Sequence, residues 1–191
     1  MTSDKKQNDL LSLSLKLTLI GALVVLLLAA VNALTADTIA ARETEKGREA
    51  RQALIVDADS FEEVQAELTE TEAKTVTAVY LAKAGDKVLG YCFDVSVYGF
   101  GNDPISMIVA VSQEGNLYGV KIISNSETPG IGAAALAEDG GLLGQYAGLS
   151  VLSVDGVAGV SGATITSRGV ASGVKTAVEL LDRLTQEGVA E

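Results

Sequence analysis

The run Ser161-Gly162-Ala163-Thr164-Ile165-Thr166-Ser167 gathers four hydroxyl side chains and two small residues into seven positions. It directly precedes a helical pattern, roughly Ser167 to Thr185, in which Val170, Val174, Val178, Leu181 and Leu184 recur at helical spacing. A helix start carries unpaired backbone N–H groups and the positive end of the helix dipole, which together favour a phosphate. Gly162 permits a sharp turn and Ala163 leaves room for close approach. The same residues also admit a plainer role, with Thr166 or Ser167 capping the helix. A second cluster, Glu127-Thr128-Pro129-Gly130-Ile131-Gly132, combines a carboxylate with proline and glycine placed as a β-turn wants them. Cys92, the only cysteine, lies in a strand pattern and reads as a small buried residue. Tyr80, Tyr91, Tyr98, Tyr118 and Tyr146 are open to two roles, stacking on a planar ligand or ordinary packing.

Composition narrows the chemistry. The 191 residues hold 14 basic and 25 acidic side chains, a net charge of −11, and no histidine. That balance argues against a nucleic-acid binder, which needs a basic face. Lack of histidine removes the serine–histidine triad and most zinc sites, and one thiol cannot ligate an iron–sulfur cluster alone. A threonine hydroxyl is a weak nucleophile without a base or metal beside it. Redox chemistry therefore requires a bound cofactor. The Gly99-Phe100-Gly101 stretch lacks the third glycine of a dinucleotide fingerprint.

The elements that must position these residues follow from pattern. Leu17 to Ala36 are twenty residues without a charge, bounded by Lys16 and Asp37. As a helix they span the roughly 30 Å hydrocarbon core of a bilayer. The run is longer than the ~7–15 apolar residues of a signal peptide, the competing assignment. Lys5, Lys6 and Lys16 before it nearly balance Arg42, Lys46, Arg48 and Arg51 after it. The short N-terminus is expected inside. The remainder, carrying −12 once the three lysines and two aspartates before Asp37 are set aside, is expected outside.

Thr38 to Leu54 reads as a polar, solvated helix, and Phe61 to Leu68 as a short amphipathic helix capped by Asp57 to Ser60. Val76–Leu81, Val88–Val97, Ile105–Val111 and Leu117–Ile123 read as antiparallel strands joined by tight turns, with Leu149–Val154 a further strand. The fold class is α+β: a single N-terminal transmembrane helix, then an antiparallel-sheet domain with flanking helices.

Ser161-Gly162-Ala163-Thr164 resembles the flavinylation motif of the FMN-binding domain family. That family is found in the NqrC subunit of the sodium-translocating quinone reductase and the RnfG subunit of the Rnf complex. Glu127-Thr128-Pro129-Gly130-Ile131-Gly132 is similar to its second signature. The order of the two motifs behind one span extends the resemblance over essentially the whole chain, whose compact length is closer to the Rnf subunit. The resemblance implies FMN joined through a phosphoester to Thr164, with Thr166 in reserve. It also implies a flavin-binding set of Ser161, Gly162, Ala163, Ser167, Glu127, Thr128 and Gly130, and no catalytic or metal-ligating residue. Glu127 then tunes the flavin or bonds its ribityl chain, or is merely a solvated turn residue. Six residues before the modified threonine, where the family often has aspartate, this chain has Ala158; its nearest acid is Asp155.

The implied division is 1–16 a cytoplasmic N-terminus, 17–36 the transmembrane helix, 37–70 a helical stalk and short helix, and 71–191 the FMN-binding domain. The implied function is electron transfer, as a redox subunit not catalytically complete alone, in a membrane-bound ferredoxin:NAD+ oxidoreductase that moves Na+ or H+. Its partners are the complex's other subunits and a separate flavin transferase using FAD and Mg2+. The location is the inner or plasma membrane, with the FMN domain extracytoplasmic. Two other classes stay open: a tethered module binding flavin or another phosphate ligand without a covalent bond, and a pilin-like structural protein. The absence of an acid between Leu10 and Ala36 counts against the pilin.

Overall fold

In the computed structural model, which describes residues 3–186, β-branched and small residues between 76 and 124 alternate along successive hairpins. Met1 and Thr2 of the expected cytoplasmic segment, and residues 187–191 of the expected domain, lie outside the described residues. The strands are β1 (Ser60–Val64), β2 (Val76–Ala84), β3 (Lys87–Val97), β4 (Ile105–Ser112) and β5 (Leu117–Ser124). They form one antiparallel sheet in chain order, β1-β2-β3-β4-β5. Gly85, at φ 58°, supplies the left-handed residue that the two-residue turn between Ala84 and Lys87 requires.

Successive residues of a strand face opposite sides, and here both sides are covered. On one side Phe93, Val95, Met107 and Val109 pack with Val170, Val174, Ala177 and Leu181 of helix α3 (Thr164–Gln186). On the other, Cys92, Ile108 and Ala110 pack with Ala50 near the end of helix α1 (Ser3–Leu54) and with Ile55 just beyond it. Burial on both faces explains why β4 is almost continuously apolar instead of alternating.

The chain divides into two units, residues 1–44 and 45–191. The first is the N-terminal part of α1, where Ser14–Leu34 is long and apolar enough to cross a membrane and is wholly exposed. In the second, the end of α1 is anchored by an ion pair from Arg51 to Asp94 of β3. The Arg51 guanidinium also lies 3.6 Å above the Tyr80 ring. Burial pushes the Asp94 carboxyl up from its ordinary range, against the opposing pull of Arg51.

Three local expectations are corrected. Phe61–Leu68 is not a helix: Ser60–Val64 adds to the edge of β2, pairing Phe61 with Ala82 while Glu62 meets Lys83 at 2.6 Å. Pairing and burial of Phe61 outweigh the local capping signal. Leu149–Val154 is not a strand; apart from a bridge between Asn116 and Ser150 it becomes a 3-10 helix, Val151–Gly156, with the Ser150 side chain accepting from the Leu152 N–H. The last turns of the expected solvated helix are solvated on one face only, since Ala50 and Arg51 are buried while Arg48, Glu49 and Gln52 are exposed.

Burial pushes the Cys92 thiol up to about 12, so almost no thiolate exists at pH 8. Cys92 should resist alkylation in the folded protein and react fully in denaturant, as counted by mass spectrometry. Arg51→Ala leaves Asp94 half-buried without its partner. It should lower stability by about 2–3 kcal/mol, between the values for exposed and fully buried pairs, measured from the denaturant midpoint.

Candidate functional site

Helix α3 starts at Thr164, three residues earlier than its apolar periodicity indicates, and this changes the roles of the hydroxyls before and within it. Gly162, at φ 84°, makes the turn into the helix, and the buried Ala163 accepts the Ser167 N–H at 2.9 Å. Neither Thr166 nor Ser167 therefore caps the helix; both lie inside its first turn and are buried. Ser167 Oγ accepts the Val160 N–H at 3.0 Å, and Thr166 Oγ1 donates to Glu127 Oε2 at 2.6 Å. Thr164 and Ile165, just before them in the same turn, are exposed.

Glu127 is no solvated turn residue. It is only 5% exposed, and its other oxygen, Oε1, accepts the Gly101 N–H at 2.9 Å. One carboxylate thus joins three segments: the loop after β3, the loop after β5 and the first turn of α3. A Cβ at Gly99 or Gly132 would collide with this carboxylate, so the space around it admits only glycine. The chain beyond Glu127 folds into a β-turn in which the Ile131 N–H donates to the Thr128 carbonyl at 3.2 Å and Gly130 takes φ 78°.

These segments enclose a cleft of about 390 Å3. Phe100, Ile131 and Ile165 form its apolar walls, while Glu127, Thr128, Thr164 and Thr166 bring polar groups to it. The three apolar side chains are 68, 54 and 53% exposed, a concentration of large apolar surface that a soluble face seldom leaves bare. A planar, partly apolar ligand with a phosphate fits the set: walls for its ring, and a helix start beside an exposed hydroxyl for its anion.

Of the residues singled out from sequence, Gly162, Ala163, Thr164, Thr166, Glu127 and Thr128 meet at this cleft. Ser161 and Gly130 do not line it; Gly130 shapes the turn behind it. Ser167 instead lines a hollow of about 180 Å3 next to Thr164, shared with Tyr146, Gly159 and Arg168. None of the five tyrosines lines the cleft. Tyr80 lies under Arg51, Tyr91 stacks with Phe93, Tyr98 is exposed, Tyr118 donates to the Leu89 carbonyl and Tyr146 is fully buried.

The aromatic residue at the cleft is Phe100, which sequence reasoning passed over. Its signal was present, an aromatic between two glycines in a link between strands. At Ala158 the backbone is held by Gln145, which accepts its N–H at 3.0 Å and donates to its carbonyl at 3.1 Å. Asp155 does not take up that position; it pairs with Lys175 at 3.3 Å. Among the described residues no group of His, Cys, Asp or Glu could hold a metal ion.

Gly132→Ala forces a methyl into the Glu127–Thr166 contact and should cost about 1–3 kcal/mol in thermal unfolding. Gly144→Ala, where nothing lies within 4 Å, should be near neutral.

Residues 99–179, which contain every wall of the cleft, match the FMN-binding domain. Along 97% of its length the chain is 29% identical to the G subunit of the proton-translocating ferredoxin:NAD(+) oxidoreductase complex of Clostridium ljungdahlii, of which 98% is covered. It is 28% identical to the G subunit of the Na(+)-translocating ferredoxin:NAD(+) oxidoreductase complex of Acetobacterium woodii, over 97% of this chain and 99% of that one. The G subunit of the ion-translocating oxidoreductase complex of Cereibacter sphaeroides is 34% identical over 59% of this chain and 56% of its own. An FMN-binding domain match over residues 99–179 and similarity along nearly the whole chain to G subunits of ion-translocating oxidoreductase complexes thus meet at this cleft.

Proposed function

We propose that this chain is the electron-transfer subunit of a membrane-bound ion-translocating oxidoreductase and carries FMN through a phosphoester on Thr164. The observation that carries this reading is the contrast between the two threonines. Thr164 is exposed at the start of α3 and lines the cleft, whereas Thr166 is buried and bonded to Glu127. Only the first can meet a nucleotide without breaking the site. The flavin, when bound, supplies reversible redox chemistry that no side chain of this protein offers.

The chain's own residues do the rest. Phe100, Ile131 and Ile165 cover apolar ring surface and exclude water. The first amides of α3 and its dipole hold the phosphoryl group. Gly162, with no side chain, lets that group approach the backbone. Glu127 is engaged with Thr166 and Gly101, so no base stands ready to activate Thr164. Attachment therefore belongs to a separate Mg2+-dependent flavin transferase. Its reaction breaks the pyrophosphate of FAD, places the FMN phosphoryl on Thr164 Oγ1 and releases AMP, the hydroxyl proton passing to the transferase.

The apolar helix moors the domain, and the −12 charge after it is consistent with the face away from the anionic cytoplasmic leaflet. Electrons then pass between ferredoxin and NAD+ through the assembled subunits, this one being a single carrier among them. Ion movement, of Na+ or H+, belongs to the complex.

Co-expression with a flavin transferase tests the attachment. Fluorescence that persists in a denaturing gel should be present in wild type and Thr166→Ser and absent in Thr164→Ala. A colourless wild type, or flavin lost on acid precipitation, would contradict covalent carriage. For orientation, alkaline phosphatase fused to the C-terminus should be active and green fluorescent protein at the same place dark; the reverse pattern would put the domain in the cytoplasm.

A further inference from the structure

Glu127 has a property its latch role does not require. Its carboxylate is buried at 5% exposure, yet among the described residues no lysine or arginine pairs with it. Its two oxygens each accept a hydrogen bond, from the Gly101 N–H and from the Thr166 hydroxyl, an arrangement suited to the ionised form. Neutral donors stabilise the charge without cancelling it. The backbone at Gly99 and Gly132 lies close against the carboxylate from two sides, and the two hydrogen bonds fix its oxygens there. The residue forms part of the wall of the cleft, whose other walls are largely apolar and screen charge poorly.

We propose that Glu127 is a fixed, uncompensated anion that holds down the reduction potential of the flavin in this cleft. The inference rests on the reading that FMN occupies the cleft. Adding electrons to a ring bound in this cleft is opposed by a fixed negative charge in its wall, and apolar neighbours do little to weaken the opposition. The effect makes this carrier a stronger reductant than the same site with a neutral residue, as suits a subunit that must pass electrons onward.

The test is a redox titration of the full-length flavinylated chain in detergent, followed by flavin absorbance. Glu127→Gln preserves shape while removing the charge, its amide oxygen accepting from Gly101 and its NH2 donating to a reoriented Thr166 hydroxyl, and its potential should move positive of wild type. Glu127→Asp keeps the charge but draws it back by one methylene, so its potential should fall between those of wild type and the Gln variant. An unshifted Gln variant overturns the inference, as do Gln and Asp variants that shift alike, which would mark a packing effect.

Wild type gives a second readout free of any folding defect. Its redox-difference infrared spectrum should show no carboxylate becoming a carboxylic acid on reduction, and such a band would contradict a fixed anion. If wild type carries no flavin at all, the proposed function fails; if it carries flavin but the Gln variant titrates unchanged, only the present inference does.

Discussion

A single buried carboxylate holds the site together. The loop after β3, the turn after β5 and the first turn of α3 share no sheet ladder; Ser126 bonds the Asp103 backbone across the first two, and Glu127 reaches all three. Glu127 joins them by accepting from Gly101 and Thr166, with glycines at 99 and 132 because any larger residue would occupy the carboxylate's space. A buried carboxylate is tolerable only where its oxygens find donors, so the burial of Glu127 and the placement of those donors depend on each other. Loss of either partner would leave the charge under-satisfied and loosen the wall of the cleft.

Helix α3 connects this local arrangement to the rest of the fold. Val170, Val174, Ala177 and Leu181 fix the helix against the sheet, while its first residue, Thr164, is presented to solvent at the cleft. The hydroxyl therefore sits on a rigid element seated in the core, not on a free loop, and its position is set by packing several turns away. On the far face of the sheet the ion pair of Arg51 with Asp94 fastens the end of α1. The two faces of one sheet thus carry two attachments, one to the segment that continues from the apolar helix and one to the site.

How much of this was legible in the sequence varies by element. The four long strands and the final helix announced themselves through β-branched runs, turn glycines and apolar periodicity, because their burial is repeated along many residues. Phe61–Leu68 misled because its cap-like start and acidic residues are local signals, while what makes it a strand is the edge of β2, a partner distant in the chain. Leu149–Val154 carried strand-forming residues but lies beside the sheet with only one bridge to it.

At the site, Thr164 and the two motifs were visible as unusual concentrations of hydroxyls, glycines and an acid. The hydrogen bond from Thr166 to Glu127 spans 39 positions and could not be read from spacing. Phe100 was missed for a similar reason: its place in the wall depends on where Gly101 is pulled by a carboxylate in a different loop.

The central claim is that one exposed hydroxyl at the start of α3 carries the redox group. Peptide fragmentation by mass spectrometry, on protein purified from a host that makes the flavin transferase, addresses it most directly. One FMN less one water should appear on the peptide ending at Arg168, with fragment ions assigning it to Thr164. The adduct on Thr166, or a peptide found wholly unmodified, would contradict the account.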